Sequence, residues 1–218
     1  DVAVLADITA NLYPAGTPLH HSDAILGTKR AELLREIQPD LAVGCGGPAV
    51  SKHLKQFLRR FAPQALWQVQ AAGLAPDTYQ GLTHVIPMRP AEFFAGLAER
   101  QASAAPAPSN SDYAGRWRQL EARAAALVTD YLESAPFGEF QAVYRVMQAL
   151  PAGSRLQLGN SMPVRYANLI AHIPGVTLER IHSNRGVSGI DGVVSTAVGA
   201  ALATGSRSAR AFARSSSA

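Results

Sequence analysis

The chain has 218 residues, of which 47% are hydrophobic and 17% charged, a composition that fits a globular protein and excludes a disordered one. Its formal charge of +4 comes mostly from arginines spread along the chain, without the basic patch interleaved with aromatic residues that is typical of nucleic-acid binding. No apolar run has the length of a membrane span, the N-terminus lacks a signal pattern, and the single cysteine excludes an internal disulfide and favours a reducing compartment.

The first half of the chain alternates short apolar runs with helical patterns. Strands are predicted at 2–8, 41–45, 65–69 and 83–87, and helices at 22–37, 49–61 and 90–100. Gly27 weakens the first of these helices. Cys45 falls in an apolar run, so we expect a buried, inert thiol. The alternation is typical of βαβ units and predicts an α/β fold with a mostly parallel, Rossmann-like sheet.

A proline-rich stretch of small residues, 102–111, has the composition of an interdomain linker. Beyond it, helices are predicted at 112–135, 138–150, 162–173 and 192–204, and strands at 155–158 and 176–182. The second half is therefore predicted to be a new α/β domain that begins with helices and reaches only its second strand. The remainder, 206–218, has no clear strand or helix pattern, so the third strand expected there is missing.

The glycine-rich run at 44–47 follows a predicted strand but does not match the G-x-G-x-x-G motif of dinucleotide-binding loops. We interpret it as a structural turn. Lys52 follows on the next predicted helix, where a surface lysine is the default and contact with an anion is the alternative.

A first polar cluster, Gly159-Asn160-Ser161, lies between a predicted strand and a predicted helix. Ser161 is expected to cap the helix, and Pro163 suits its first turn, where no N–H is required. Arg165 lies four residues beyond Ser161, so the two are predicted to face the same side at the positive end of the helix. Such a group suits a carboxylate or a phosphate, and a plain cap beside a surface arginine fits the pattern equally well.

A second polar cluster, 183–192, follows the next predicted strand and has a glycine at every third position from 186. This spacing favours a loop that lies close against a ligand or another chain, with Arg185 adding charge and Ile190 an apolar contact. A purely structural glycine-rich connection is the alternative. Open α/β sheets bind ligands where parallel strands end, so the two clusters form the candidate site. No histidine spacing matches a zinc motif.

Together the clusters resemble the 2-succinyl-5-enolpyruvyl-6-hydroxy-3-cyclohexene-1-carboxylate synthase family of menaquinone and phylloquinone biosynthesis. The resemblance rests on L-G-N-S-x-x-V-R at 158–165 and S-N-R-G-x-S-G-I-D-G-x-x-S-T-A at 183–197. Weaker stretches agree in order, with VLADI at 4–8, PLHHSDAIL at 18–26, PDLAVGCGGPAVSKHL at 39–54 and FGEFQAVYRVMQALP at 137–151. The resemblance covers about residues 1–205.

This resemblance implies a thiamine-diphosphate-dependent transferase that decarboxylates 2-oxoglutarate and adds the succinyl unit to isochorismate by a 1,4-addition. Residues 1–101 would be most of the middle domain, 102–111 a linker and 112–205 the beginning of the diphosphate-binding domain, followed by an atypical tail at 206–218. The fold class implied is therefore α/β, with a Rossmann-like middle domain followed by the start of a thiamine-diphosphate-binding domain.

The resemblance also implies roles for single residues. Substrate binding is implied for Ser161, Arg165, Arg185 and Lys52. Lys52 would reach the isochorismate side, although His53 stands beside it where the family often has arginine. Ile190 would pack against the cofactor and hold its bent conformation. Asn160 and Gly189 are the other cofactor-binding residues that we expect.

Two parts of the family pattern are not found in these 218 residues. One is the glutamate that activates the cofactor, and the other is the aspartate and asparagine that hold magnesium on the diphosphate. We therefore expect no catalytic residue and no metal ligand in this chain. The full-length protein is expected to be a cytoplasmic homodimer or homotetramer that uses thiamine diphosphate with magnesium or manganese, without a nucleic-acid partner or a membrane span.

Two other functions remain open from the sequence alone. The chain fits a non-catalytic α/β module that holds an anionic metabolite at 44–47 and 161–165. It also fits another thiamine-diphosphate carboligase or decarboxylase, although the run S-N-R-G-x-S-G-I-D-G argues against that function.

The isolated chain is expected to bind thiamine diphosphate with magnesium weakly or not at all, because the family residues that hold the metal and activate the cofactor are not among its 218 residues. Isothermal titration calorimetry of the purified chain measures this binding. Magnesium-dependent binding in the micromolar range would contradict the expectation.

Overall fold

The computed structural model describes residues 2–12, 19–103, 112–171, 173, 175–185 and 189–205, and the backbone of 209–212. The chain forms two compact units. The first comprises Asp1–Val2, Leu26–Gly47 and Lys52–Trp117, and the second comprises Ala3–Ile25, Pro48–Ser51 and Arg118–Ala218. The two units are defined by the contacts between residues of the chain. The domain boundaries predicted from the sequence stay a prediction.

The described part of the chain contains eight α-helices and six strands, which are numbered here in chain order. The helices are α1 (Ser22–Leu26), α2 (Ala31–Glu36), α3 (Lys52–Arg60), α4 (Pro90–Ser103), α5 (Tyr113–Ser134), α6 (Glu139–Gln148), α7 (Met162–Ile170) and α8 (Val193–Thr204). The strands are β1 (Leu41–Cys45), β2 (Ala65–Val69), β3 (His84–Ile86), β4 (Ser154–Leu158), β5 (Leu178–Ser183) and β6 (Ala209–Phe212). Among the described residues, no helix combines the length and the apolar character that crossing a membrane demands.

The first unit is built on a parallel sheet in the order β1-β2-β3. Its register pairs Val43 with Trp67, and Trp67 with His84. Helix α3 connects β1 to β2 and is amphipathic, with Phe57 and Leu58 buried. Both strands of the β1–β2 pair coincide with the predicted bounds, since short apolar runs ended by turn residues define them well.

The second unit is built on a parallel sheet in the order β5-β4-β6. Helices α7 and α8 make the crossover connections, and β4 lies in the centre. Leu156 and Leu158 of β4 are each 1% exposed and belong to a core that also contains Val164 and Ile170 of α7. The mixed α/β fold with parallel sheets is therefore confirmed in both units.

Residues 3–12 are attached to the second unit by side-chain hydrogen bonds. The Ile8 N–H donates to Oδ1 of Asn168 at 2.9 Å. The amide of Asn11 donates to the carbonyl of Ile181 at 2.9 Å and accepts from the Ile181 N–H at 2.6 Å. Asn11 has a φ of 55°, a left-handed conformation that asparagine tolerates. Its side chain thus bonds to β5 in the way that a neighbouring strand would.

The predicted strand at 2–8 is wrong. The segment forms an isolated bridge from Leu5 to Leu19 and then a 3-10 helix, Ile8–Ala10. Val2 is 78% exposed and Val4 is 43% exposed, so the apolar run does not enter a sheet interior. Two backbone hydrogen bonds, from Ala6 to Leu19 and from Leu19 to Val4, and the side-chain bonds above hold the segment without a sheet.

Two local expectations also need correction in the first half. The helix predicted at 22–37 is split into α1 and α2, and the break begins at Gly27, the residue expected to weaken it. Cys45 is exposed rather than buried, because it is the last residue of β1 and the chain leaves the sheet there. In the predicted linker, 102–103 continue α4, and 104–111 lie outside the described residues.

The statement that the second half reaches only two strands is wrong as well. Within the predicted atypical tail, 209–212 form β6, which pairs in parallel with β4 from Arg155 to Leu158. The sequence ARAF carries no apolar run, so hydrophobic pattern could not reveal it. Residues 206–208 and 213–218 lie outside the described residues.

Leu156→Ala is expected to lower the free energy of unfolding by about 2–5 kcal/mol, because it opens a cavity in the second unit's core. Urea denaturation followed by far-UV circular dichroism measures the change. The matched control is Leu202→Ala on α8, where the side chain is 78% exposed and the expected change is within about 0.5 kcal/mol. Equal effects of the two substitutions would contradict the described core.

Candidate functional site

Both polar clusters begin at the same edge of the second unit's sheet. The last residues of β4 and β5, Leu158 and Ser183, are register partners in the parallel pair. The chain therefore leaves the two strands side by side, as ligand sites of open α/β sheets require. Residues 186–188, which include Gly186, lie outside the described residues.

Arg185 joins the two clusters. Its Nη1 donates to Oδ1 of Asn160 at 2.6 Å, and its Nη2 donates to the carbonyl of Ala49 at 3.4 Å. Asn160 is 6% exposed, whereas Arg185 is half-buried. The short bond to Asn160 is typical of an ionised donor and is the stronger contact, whereas the longer bond to Ala49 orients the second nitrogen of the guanidinium.

The Ala49 carbonyl belongs to the turn Pro48–Ser51, which two carboxyl groups hold in place. Asp7 Oδ2 accepts a hydrogen bond from the Val50 N–H, and Asp23 Oδ1 accepts one from the Ser51 hydroxyl. Val50 and Ser51 are 5% and 4% exposed. Through this turn, residues distant in sequence determine where the acceptor for Arg185 lies.

Asp7 has an altered acidity. Burial raises the pKa of this carboxyl above its usual 3.8, with the Val50 N–H opposing the rise, Asp23 adding to it and Arg185 opposing it. A carboxyl whose pKa is raised on folding destabilises the folded chain as the pH rises through that pKa. Sequence analysis missed this residue, although a single acidic residue inside the apolar run 2–8 was the available signal.

Ser161 does not cap α7 as predicted. It occupies the N-cap position, but its side chain makes no capping hydrogen bond, and its backbone has φ 72° and ψ −128°. A positive φ in a serine is a strained conformation, which costs about 1–3 kcal/mol. Pro163 does lie in the first turn, as predicted, and Arg165 one turn into the helix is exposed.

Asn184, the residue before Arg185, links the sheet to α8. Gln157 donates from Nε2 to Oδ1 of Asn184 at 2.9 Å, and Asn184 donates from Nδ2 to Oγ1 of Thr196 at 3.2 Å. The Thr196 hydroxyl in turn donates to the Gly192 carbonyl at 2.7 Å. This chain of bonds fixes the start of α8, where Gly192 adopts a φ of 78° that favours glycine.

The remaining predicted residues lie in different places. Ile190, just before α8, is 51% exposed, and the neighbouring Gly189 is also exposed. Lys52 is the exposed first residue of α3 and belongs to the first unit, so it is described with that unit. The predicted roles of these residues, and those of the cluster residues above, stay predictions.

A histidine pair that the sequence did not single out lies in the second unit. Glu121 of α5 accepts hydrogen bonds from the N–H of His20 at 2.9 Å and from His21 Nδ1 at 2.9 Å. Burial alone would raise the pKa of Glu121, but the hydrogen bonds from His21 and the backbone of His20 outweigh it, so the pKa is lowered. The pair stabilises the loop that precedes α1.

The side chains of the two clusters are of the kinds that bind an anion and an apolar group. One guanidinium is fixed at the end of β5, another is exposed one turn into α7, and an apolar side chain stands exposed before α8. Among the described residues, no three His, Cys, Asp or Glu side chains are placed to hold a metal ion.

A sequence model of the family described as "Middle domain of thiamine pyrophosphate" matches residues 3–158, which is most of the chain. The match contains the anchoring segments around Asp7 and Ala49 and ends with β4, just before the first polar cluster.

Curated proteins named 2-succinyl-5-enolpyruvyl-6-hydroxy-3-cyclohexene-1-carboxylate synthase are similar to almost the whole chain. The one from Cytophaga hutchinsonii is 34% identical over 203 residues, which are 92% of this chain and 34% of the relative. The one from Flavobacterium psychrophilum is 32% identical over 204 residues, 94% of this chain and 35% of the relative. The one from Desulfotalea psychrophila is 36% identical over 203 residues, 93% and 34% respectively. The chain spans about a third of the length of these relatives.

The Glu121 interaction is expected to make stability depend on pH in a defined direction. Because its pKa is lowered on folding from an ordinary value of 4.5, its contribution is fully present above that value and is lost as the pH falls through the folded-state pKa. Glu121→Gln should therefore be destabilising at neutral pH, and its difference from the unsubstituted chain should shrink in acid. Urea denaturation at several pH values measures this, with the exposed Glu133→Gln as the matched control. A difference that is independent of pH would contradict the assignment.

Proposed function

Because the chain belongs to the family of thiamine pyrophosphate middle domains, we propose that it is part of a 2-succinyl-5-enolpyruvyl-6-hydroxy-3-cyclohexene-1-carboxylate synthase. The proposed reaction is decarboxylation of 2-oxoglutarate and 1,4-addition of the succinyl unit to isochorismate in menaquinone biosynthesis. The names of the relatives support this proposal. Since the chain spans about a third of their length, the activity is proposed for the longer protein.

The observation that carries the proposal is the fixed guanidinium of Arg185. It lies at the exit of β5, bonded to Asn160 at the exit of β4, in a sheet whose strand ends are the usual place for ligands. A guanidinium presents planar N–H donors whose geometry matches a carboxylate. The chain's part in the reaction is therefore to orient a substrate carboxylate.

Both proposed substrates are carboxylates, which explains the need for more than one cation. Arg185 supplies a charge in a fixed position, and the exposed Arg165 supplies one that can adjust. Ser161, in the first cluster, has a strained backbone, a feature that concentrates at functional sites. Lys52 is proposed to contact the isochorismate side.

The described residues fit one side of thiamine diphosphate. Ile190 exposes about half of its apolar surface before α8, which suits packing against an aromatic ring, and Gly189 has open space where a side chain would stand. Asn160 and Gly189 are proposed to border the cofactor. When bound, thiamine diphosphate supplies the nucleophilic carbon at which a 2-oxo acid loses carbon dioxide. The residues of this chain orient the substrate there.

The finer assignments belong to the same proposal. Magnesium or manganese is proposed to hold the diphosphate in the longer protein, and a homodimer or homotetramer is proposed in the cytoplasm. The exposed apolar side chains of α8, Val194, Val198 and Leu202, support an oligomer, because such a row favours burial against another surface. The single cysteine supports a reducing compartment.

A chimera tests the proposal, in which this chain replaces the matched 203-residue segment of the Cytophaga hutchinsonii relative. The chimera is expected to form the product from 2-oxoglutarate and isochorismate. Arg185→Ala should lower its kcat/KM by about 10- to 100-fold, the loss expected for hydrogen bonds to a charged group. Steady-state kinetics on each substrate measures the effect.

The matched control is Arg123→Ala, which removes an exposed arginine of α5 and should leave kcat/KM unchanged within about twofold. A folded chimera whose activity does not respond to Arg185→Ala would contradict the role of Arg185. A folded chimera without activity, beside an active parent enzyme, would contradict the proposed function.

A further inference from the structure

The guanidinium of Arg185 depends on a segment that lies outside both polar clusters. Its Nη2 donates to the Ala49 carbonyl, and the turn Pro48–Ser51 that carries this carbonyl has buried side chains at Val50 and Ser51. The Val50 N–H donates to Asp7. The Asp7 carboxylate therefore determines where the Ala49 acceptor of Arg185 lies.

We propose that Asp7 is a positioning residue for Arg185: its carboxylate holds the Pro48–Ser51 turn through the Val50 N–H, so that the Ala49 carbonyl meets the guanidinium. The positioning itself stands on this geometry. That it serves a substrate carboxylate rests on the proposed function. Asp7 does not touch the substrate in this assignment.

A carboxylate does more at this place than a neutral acceptor. Among the described residues, the charged groups that act on the Asp7 carboxyl are Asp23 from α1 and Arg185 from the end of β5. The negative charge of Asp7 attracts the guanidinium that its hydrogen bond helps to locate. An asparagine keeps an acceptor for the Val50 N–H but removes this attraction, so the two contributions can be separated.

The position of Asp7 is itself well determined. The next residue, Ile8, donates its N–H to the buried Asn168, and Asn11 is bonded to both backbone groups of Ile181 on β5. Asp7 is thus held from the same sheet that carries Arg185. A positioning role requires such anchors, because a carboxylate on a mobile segment could not hold the Pro48–Ser51 turn in one place.

The rotation of the Arg185 guanidinium about its Nε–Cζ bond tests the proposal. Carbon-detected NMR on the 218-residue chain with labelled arginine measures this rate, and Arg185→Lys identifies the signal by removing it. Rotation should be slow in the unsubstituted chain and about tenfold faster or more in Asp7→Asn, as expected when a charge-assisted anchor is weakened. Asn160→Ala, which removes the acceptor of Nη1, is the reference for a guanidinium that has lost one anchor.

Asp130→Asn is the matched control, because it removes an exposed carboxyl of α5 in the same unit and should leave the rate unchanged. A folded Asp7→Asn chain with a shifted Val50 amide signal and an unchanged Arg185 rotation would overturn the proposal. So would an equal change in the control.

If Asp7→Asn does not fold, a pH titration of the unsubstituted chain tests the proposal instead. Protonation of Asp7, followed by its carboxyl carbon signal, should raise the rotation rate of Arg185 in step, with the Asp23 carboxyl followed separately. Titration of Asp7 without any response of Arg185 would overturn the proposal.

Titration with succinate and with 2-oxoglutarate separates this proposal from the proposed function. If the rotation responds to Asp7 but neither dicarboxylate shifts the Arg185 signal, the positioning role stands and the carboxylate-binding role fails. If both dicarboxylates bind and Asp7→Asn leaves rotation and affinity unchanged, the proposed function stands and the positioning role fails.

Discussion

The second unit is organised around a cation that is held where two parallel strands end. Arg185 follows β5, Asn160 follows β4, and the bond between them requires that both strands end in register. A half-buried guanidinium is stable only with acceptors around it, since an unpaired charge is costly to desolvate. One such acceptor is the carbonyl of Ala49, which belongs to a turn far away in sequence. The sheet, the turn and the N-terminal segment thus together determine the position of one ionic group.

Asparagine side chains connect these parts, for a simple chemical reason. An amide both donates and accepts, so it can satisfy backbone groups without bringing in a charge that must be neutralised. Asn11 bonds to both backbone groups of Ile181, Asn168 accepts from Ile8, and Asn184 joins Gln157 to α8. An aspartate occurs instead at position 7, where its carboxyl interacts electrostatically with the guanidinium of Arg185. These side chains in this way attach segments that are not strands to the sheet.

The sequence could predict those elements whose position is determined by the spacing of hydrophobic residues. The bounds of β1 and β2 and the clusters at the ends of β4 and β5 follow from apolar runs and from the turn residues that end them. The same rule fails for 2–8, which is held by backbone bonds to Leu19 and by side-chain bonds, and for β6, where a strand forms without an apolar run. It marks Asp7 as an acidic residue inside an apolar run, but it cannot identify the partner, because Val50 contributes only a backbone N–H, which any residue but proline would provide.

The two arginines Arg165 and Arg185 differ in exposure, which matters for the two carboxylate substrates of the proposed reaction. A side chain that a ligand must immobilise costs about 0.5–1.5 kcal/mol of binding free energy, whereas one already held by the protein avoids that cost. Arg185 is already held, so its charge is oriented before a substrate arrives, which is the arrangement that stabilises developing charge best. Arg165 is exposed and can follow substrates of different shape. In the proposed reaction, Arg185 would orient a substrate carboxylate and Arg165 would adjust to its shape. The same two arginines could then bind the linear 2-oxoglutarate and the cyclic isochorismate in turn.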